Sequence, residues 1–340
     1  MHDFEFDPSD EADGFKQRSM TAPKNYRSAV VGLGQVGLLF DSDARRSGVW
    51  THFTAYERLS KHLDLVAVCD PDRSRQELAK QRRTTLRCYD SLQELLDGEQ
   101  LDIVSLCTPP EFHAEQIVLC AGRVKAVICE KPLSTDSQSA RCALEACRNT
   151  GTLLVVNYYK RFDGMVPSAK AWLDDGRIGR VKLVNGIFCG PLGAVGSHMV
   201  DLLRFLFGEL KIENHASRAD DRYSILLQTE SNTLVHLHNV GPREEFIFEM
   251  DAIGEEGRIR LLNNCVDCEF LRYRDSDRYS GYRELYPVPP QTPKMAERFL
   301  PLFLETVEAL RGERQTLSSD GENALRTQLL IDGIADLLAQ

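Results

Sequence analysis

The chain has 340 residues, 42% of them hydrophobic and 27% charged, with a formal net charge of −10 at pH 7. So acidic a chain has no basic field to hold nucleic acid or an anionic membrane surface. No apolar run reaches the roughly 18 residues of a membrane helix, and the acidic N-terminus lacks the basic-then-apolar order of a signal peptide. The expectation is a cytoplasmic protein of two domains. The ten cysteines fall mostly inside apolar runs and read as reduced core thiols.

In chain order, residues 1–25 are rich in Asp, Glu, Ser and Pro without apolar periodicity, and read as a mobile acidic tail. Ser28 to Val31 then runs into Gly32-x-Gly34-x-x-Gly37 and an apolar Leu38-Leu39-Phe40, the pattern of strand, tight turn and helix. Gly32 permits the turn, Gly34 lets a pyrophosphate approach the backbone, and Gly37 lets helix and strand pack closely, with Gln35 and Val36 between them at the helix N-terminus. A second strand, Leu63 to Cys69, ends in Asp70, where a carboxylate would accept hydrogen bonds from an adenine ribose. Asp70 lies 33 residues after Gly37, whereas the usual spacing is about 20. The first crossover therefore carries an insertion, placed at Asp41 to His52. Asp70 favours NAD as cofactor, because a carboxylate there repels a 2′-phosphate, while Arg73 and Arg75 keep NADP possible.

Helical composition follows at Arg73 to Arg82 and at Ser91 to Leu96. Asp102 to Cys107 is a buried strand that stops at Thr108-Pro109-Pro110, and a helix begins at Phe112-His113. Val124 to Cys129 is another strand, ending in Glu130-Lys131-Pro132; Ser134 to Arg148 is helical, and Leu153 to Val156 closes the half. Repeated β-α units with continuous apolar strands predict a parallel, doubly wound sheet over residues 26–156, whose ligands bind beyond the strand C-termini. From 157 to 340 the rhythm changes to short strands joined by tight turns, which predicts an α+β domain with a largely antiparallel open sheet. One helix, Ser197 to Phe207, interrupts that sheet, and helices from about Lys294 to Arg311 and Gly321 to Ala339 end the chain.

Lys131 is the leading chemical candidate, at the mouth of a strand C-terminus where partial burial would tune a lysine for acid/base work. His198 and Asp201 sit one helical turn apart, a spacing at which a carboxylate can orient a histidine. Tyr159 and Arg161 lie at the domain junction, where Arg161 could fork onto a substrate anion or pair with Asp163. His52 and His113 read as structural. Cys265-x-x-Cys268 and the alternating His236 and His238 lack the further ligands of a metal site, so no metal is expected.

Taken together, these motifs resemble the Gfo/Idh/MocA oxidoreductase family, named for glucose-fructose oxidoreductase and inositol dehydrogenase. The resemblance rests on the glycine turn, Thr108-Pro109-Pro110-Glu111-Phe112-His113, Glu130-Lys131-Pro132, Gly176-Arg177-Ile178-Gly179, Gly196 to Asp201 and Gly254 to Ile259, in that order. It implies an N-terminal Rossmann domain and a C-terminal domain whose open sheet makes a homo-oligomer, dimer or tetramer. The activity implied is hydride transfer between nicotinamide and a secondary alcohol or ketone of a sugar or sugar derivative. Thr108, Pro109, His113, Glu130 and Lys131 would then border the cofactor, Lys131 would contact the reacting hydroxyl, and His198 would be the acid/base. One position departs: many members carry Asp four residues before this histidine, and here it is Ala194. That departure keeps two other readings of the same fold open, a nucleotide-sensing regulatory protein and an NAD-dependent glycosidase.

Overall fold

A computed structural model describes residues 25–46, 48–242, 244–289 and 298–340, without the side chains of residues 214 and 215. The expected acidic tail, all but Asn25, lies outside the described residues, as does the start proposed for a helix at Lys294. The chain runs β1 (Tyr26–Val31), α1 (His52–Arg58), β2 (Leu63–Cys69), α2 (Arg73–Arg82), β3 (Arg87–Tyr89), α3 (Leu92–Gly98), β4 (Ile103–Leu106), α4 (Pro110–Cys120), β5 (Ala126–Cys129), α5 (Ser137–Thr150) and β6 (Leu153–Val156). Its strands form one sheet in the order β3-β2-β1-β4-β5-β6, every pair parallel. All residues of β4 and β5 are buried, as strands covered on both faces by helices must be.

The second half continues with α6 (Val166–Asp174), β7 (Val181–Phe188), α7 (Ser197–Phe207), β8 (Leu210–Ala219), β9 (Arg222–Thr229), β10 (Leu234–Asn239), β11 (Phe248–Gly254), β12 (Gly257–Leu262), β13 (Asp267–Asp275), β14 (Arg283–Pro287), α8 (Leu300–Leu310) and α9 (Gly321–Leu338). Eight strands form the second sheet in the order β14-β13-β12-β11-β7-β10-β9-β8. The sheet is mixed: β10 pairs with β7 in parallel, and the other neighbours are antiparallel. One face is covered by α7 and α9, which bury Met199, Leu203, Ile331 and Ile334 against Val184, Leu227 and Leu237. Alternation in β9 to β12 (buried, then half-buried) leaves the opposite face open.

The last two helices return to the first sheet. Leu302, Phe303 and Val307 of α8 join the core beneath β1 and β2, and Ala324 and Leu325 of α9 pack with α5 and β6. The Ser319 carbonyl accepts from the Val156 N–H at 3.0 Å, and the Ser319 hydroxyl donates to the Val156 carbonyl at 2.6 Å. The floor beyond β5 and β6 is thereby tied to the segment that leads into α9; of the cavities described next, one is lined by the first half alone and the other by both halves.

Candidate active site

The glycine turn has the geometry its spacing predicts. Gly32 sits at φ +87°, and a Cβ there would lie 2.7 Å from the Cys107 carbonyl carbon; a Cβ at Gly37 would collide with the Gly32 carbonyl oxygen. At Gly34 a Cβ would meet nothing within 4 Å, because this glycine faces a cavity of about 720 Å³ shared with Gln35, Val36, Asp70, Thr108 and Pro109. A bare backbone facing an open space above a parallel sheet suits a dinucleotide pyrophosphate. Asp70, only 3% exposed, accepts from the Leu33 N–H (2.7 Å) and the Asp72 N–H (2.9 Å), with Arg75 Nη1 at 3.4 Å. Its carboxylate thus braces the turn and still has lone pairs for a ribose hydroxyl.

The helix expected straight after the turn begins and is then interrupted. The Leu38 N–H bonds the Gly34 carbonyl, but the carbonyls of Val36 and Gly37 receive the N–H groups of His52 (3.0 Å) and Phe53 (3.2 Å). In an unbroken helix those acceptors belong to residues 40 and 41. Residues 40–51 are therefore spliced into a helix that α1 resumes, and their removal brings Asp70 back to about 20 residues from Gly37. Asp41 closes the base of the insertion: its carboxylate accepts from Thr51 Oγ1 (2.7 Å), Thr54 Oγ1 (2.6 Å) and Arg82.

Resuming the helix delivers His52 to the sheet. Fully buried against the edges of Phe299 and Phe303, its Nε2 is 2.9 Å from Glu130 Oε1, which also accepts from Asn157 Nδ2 at 2.7 Å. Burial raises the Glu130 pKa, but His52, Asn157 and the adjacent Lys131 charge outweigh it and hold the carboxyl below its ordinary range. Sequence reasoning placed Glu130 beside the cofactor. It lines a second cavity, which meets the first at Val36, and its carboxylate is held by His52 and Asn157. His52 was passed over because the insertion hides its register to the glycine turn.

This second cavity, about 230 Å³, is lined by Lys131, Tyr159 and His198 among others, and Val36 belongs to both cavities. The glycine turn therefore separates the two spaces. Lys131 follows β5, with a cis bond to Pro132, and its Nζ donates to the Ala194 carbonyl at 3.2 Å. Ala194 lies in a π-helical turn, Leu192–Gly196, that leads into α7; such turns recur at functional sites. His198, in the first turn of α7, meets the ring edges of Tyr159 at 5.0 Å and Tyr158 at 5.8 Å between centroids. Burial pushes the Tyr159 phenol up, so it stays protonated at neutral pH.

Three expected contacts are redirected. Arg161 does not line the cavity: Nε and Nη2 fork onto Asp201 at 2.8 and 2.6 Å, and Nη1 donates to the Ser318 carbonyl. Asp201 accordingly does not orient His198; Thr327 Oγ1 is its other partner, at 3.2 Å. A buried guanidinium and a buried carboxylate leave neither charge for a substrate. His113 is buried and turned from the cofactor cavity, with Nδ1 2.8 Å from the Pro132 carbonyl and Nε2 2.8 Å from the Thr108 carbonyl. Burial pushes its pKa down against the pull of those carbonyls, and it ties the loops after β4 and β5 together.

Comparisons with known proteins identify the family. Two family models match: "Oxidoreductase family, NAD-binding Rossmann fold" over residues 26–158 and "Oxidoreductase family, C-terminal alpha/beta domain" over residues 149–336. D-apiose dehydrogenase of Paraburkholderia graminis is 27% identical over 71% of this chain and 68% of its own length. Inositol 2-dehydrogenase of Rhizobium meliloti is 30% identical over 52% of this chain and 60% of its own. Among solved structures, the WlbA dehydrogenase of Bordetella pertussis, in complex with NADH and UDP-GlcNAcA, superposes with a TM-score of 0.73 at 19% identity, covering 92% of this chain and 96% of that one. Levoglucosan dehydrogenase, in complex with NADH and L-sorbose, gives 0.75 at 18% identity, covering 93% and 97%. With both of its halves matched in order, the chain belongs to the Gfo/Idh/MocA family of NAD-binding oxidoreductases.

Proposed function

We propose that the protein is an NAD-dependent dehydrogenase that oxidises a secondary alcohol of a sugar or sugar derivative, or reduces the corresponding ketone. The observation that carries this is the pair of cavities meeting at Val36, one fronting the bare backbone of Gly34 and the other containing Lys131 and His198 from different halves of the chain. Bound NAD supplies the hydride acceptor at its nicotinamide. Gly32, Gly34, Gln35, Val36, Gly37, Thr108 and Pro109 hold it, and Asp70 takes the ribose. Lys131 donates a hydrogen bond to the reacting oxygen and stabilises the charge that develops there. His198 takes the hydroxyl proton during oxidation and returns it during reduction; Tyr159, kept a neutral phenol, bounds the site. Ala194 stands where many relatives have a carboxylate paired with the histidine, so His198 works without that partner, and the Ala194 main-chain carbonyl accepts from Lys131.

NAD is favoured over NADP because both nearby guanidiniums are engaged: Arg75 by Asp70 and Asp72, and Arg73 by Asp90. The open face of the second sheet is the surface on which we place a homo-oligomer contact, testable by light scattering. Ten free thiols support a reducing, cytoplasmic setting. The deciding experiment titrates the protein with NADH and NADPH by fluorescence, then screens sugars and polyols for NAD reduction. Lys131→Ala is expected to retain NADH binding and lose about 10²–10⁴-fold in turnover. Wild-type turnover in that variant would refute the assignment.

A further inference from the structure

The insertion at residues 40–51 does more than interrupt a helix. Phe40, Arg46 and Trp50 all line the Lys131 cavity, and their side chains form an ordered stack. The Arg46 guanidinium lies 3.8 Å from the Phe40 ring centroid and 4.6 Å from that of Trp50; Arg298 covers the Trp50 ring at 3.5 Å and reaches Tyr159 at 5.9 Å. Aromatic and guanidinium groups thus alternate from the insertion to Tyr159, whose ring meets His198. Such stacking fixes a long side chain in one plane and leaves its in-plane N–H groups pointing outward. The only hydrogen bond that the Arg46 side chain makes with a described residue is from Nε to Asp43, at 3.1 Å. Its two terminal nitrogens make none with the described residues.

The charge balance of the cavity points the same way. Among the described residues, Arg46, Lys131 and Lys160 line the cavity with one carboxylate, Glu130, and Glu130 is already held by His52 and Asn157. Lys160 is buried and turned onto Asp163 and Asn264, whereas Arg46 meets Asp43 through Nε alone, so its terminal nitrogens are the ones set to meet a ligand. A chain of net charge −10 thus presents a positive cavity.

We propose that the substrate is an acidic sugar whose carboxylate is bound by Arg46, the planar fork matching the planar anion, while Lys131 and His198 address a carbinol elsewhere on the same ring. This rests on the dehydrogenase reading above and adds the substrate's charge to it. Arg46 acts on binding rather than on the reacting carbon, so its loss raises KM and leaves kcat nearly unchanged.

The test uses neutral and acidic sugars in matched pairs, glucose with glucuronate and galactose with galacturonate, assayed for NAD reduction by the wild type, Arg46→Met and Arg46→Lys. Met keeps the apolar stem and removes the charge; an unchanged NADH affinity certifies the fold of each variant. The expected result is at least a tenfold kcat/KM preference for the acidic partner, abolished in Arg46→Met through a KM increase at least tenfold larger for the acidic than for the neutral partner, and partly restored in Arg46→Lys. Preference for the neutral partner, or an equal loss on both members, overturns the acidic-sugar inference and leaves the dehydrogenase reading standing. If NADH binds but no sugar is turned over, the dehydrogenase reading fails. The anion site is then judged by glucuronate quenching of tryptophan fluorescence, assigned with Trp50→Phe. Quenching in the wild type that Arg46→Met removes upholds the site, and its absence, or equal quenching in both, overturns it.

Discussion

Deleting residues 40–51 should yield a folded protein, because Leu39 would then precede His52 in the register the hydrogen bonds already show, with Val36 and Gly37 keeping their partners. The losses are the burial of Val49, about 1.5–3 kcal/mol, and the half-exposed pairing of Asp41 with Arg82, roughly 0.2–1 kcal/mol. The Thr51 cap on α1 becomes unnecessary in a continuous helix. Against these stands the relief of closing a loop of twelve residues, (3/2)RT ln n, about 2 kcal/mol. The net destabilisation is under about 2 kcal/mol, a fall in Tm of less than about 8 °C. Thermal unfolding with and without NADH measures it, and the variant should bind NADH as the wild type does while its kcat/KM for sugar falls, through KM, with the loss of Phe40, Arg46 and Trp50. A variant that is unfolded or fails to bind NADH would refute the splice. An undiminished kcat/KM would show that the insertion takes no part in the site.

The other expectations follow from packing and charge. Asp201→Asn strands a buried Arg161 guanidinium and should cost about 3–5 kcal/mol, read by urea denaturation; wild-type stability with impaired turnover would return Asp201 to the chemistry. Gly34→Ala should weaken NADH binding at unchanged Tm, since its Cβ enters open space, whereas Gly37→Ala should lower Tm, since its Cβ strikes the Gly32 carbonyl; the pair is compared by differential scanning fluorimetry and NADH titration. Glu130 has a folded pKa below its ordinary 4.5, so its stabilisation is complete above pH 4.5 and disappears as the pH falls through the lowered value. The stability gap between wild type and Glu130→Gln, measured by urea denaturation from pH 7 to pH 3, should therefore be widest at neutral pH and close under acid.

What could be read from the sequence was local. The glycine turn, the strand ending at Asp70, the segment around Lys131 and the helix carrying His198 each depend on residues within about ten positions of one another, where periodicity and turn chemistry are decisive. The strands that went unread lack that signal: β3 has three residues, and β13 buries only Phe270 among alternating charges. Pro167 at the start of α6 masked a helix that tolerates it in its first turn. Pairings across the chain were not legible at all. The His198–Asp201 spacing is real, yet Asp201 is claimed by Arg161 from 40 positions away, and no local pattern announces that competition. The same holds for His52, whose partner Glu130 is 78 residues distant.

The position of the insertion explains how substrate choice can vary without disturbing the cofactor. It leaves the helix after the turn has been completed and rejoins it at His52, so the Gly34 cradle upstream and the His52–Glu130–Asn157 bonds downstream keep their places. Those bonds hold the residue next to Lys131, which with His198 forms the reacting end in the proposed mechanism. The insertion contributes Phe40, Arg46 and Trp50 to the cavity lining, and is fastened by Asp41 to Arg82 of α2. A segment anchored this way can change the shape and charge of the substrate wall while two independent networks keep the chemistry fixed. Substitutions at residues 40–50 should accordingly move KM and selectivity, and substitutions at His52 should move kcat, although only a short stretch of chain separates the two.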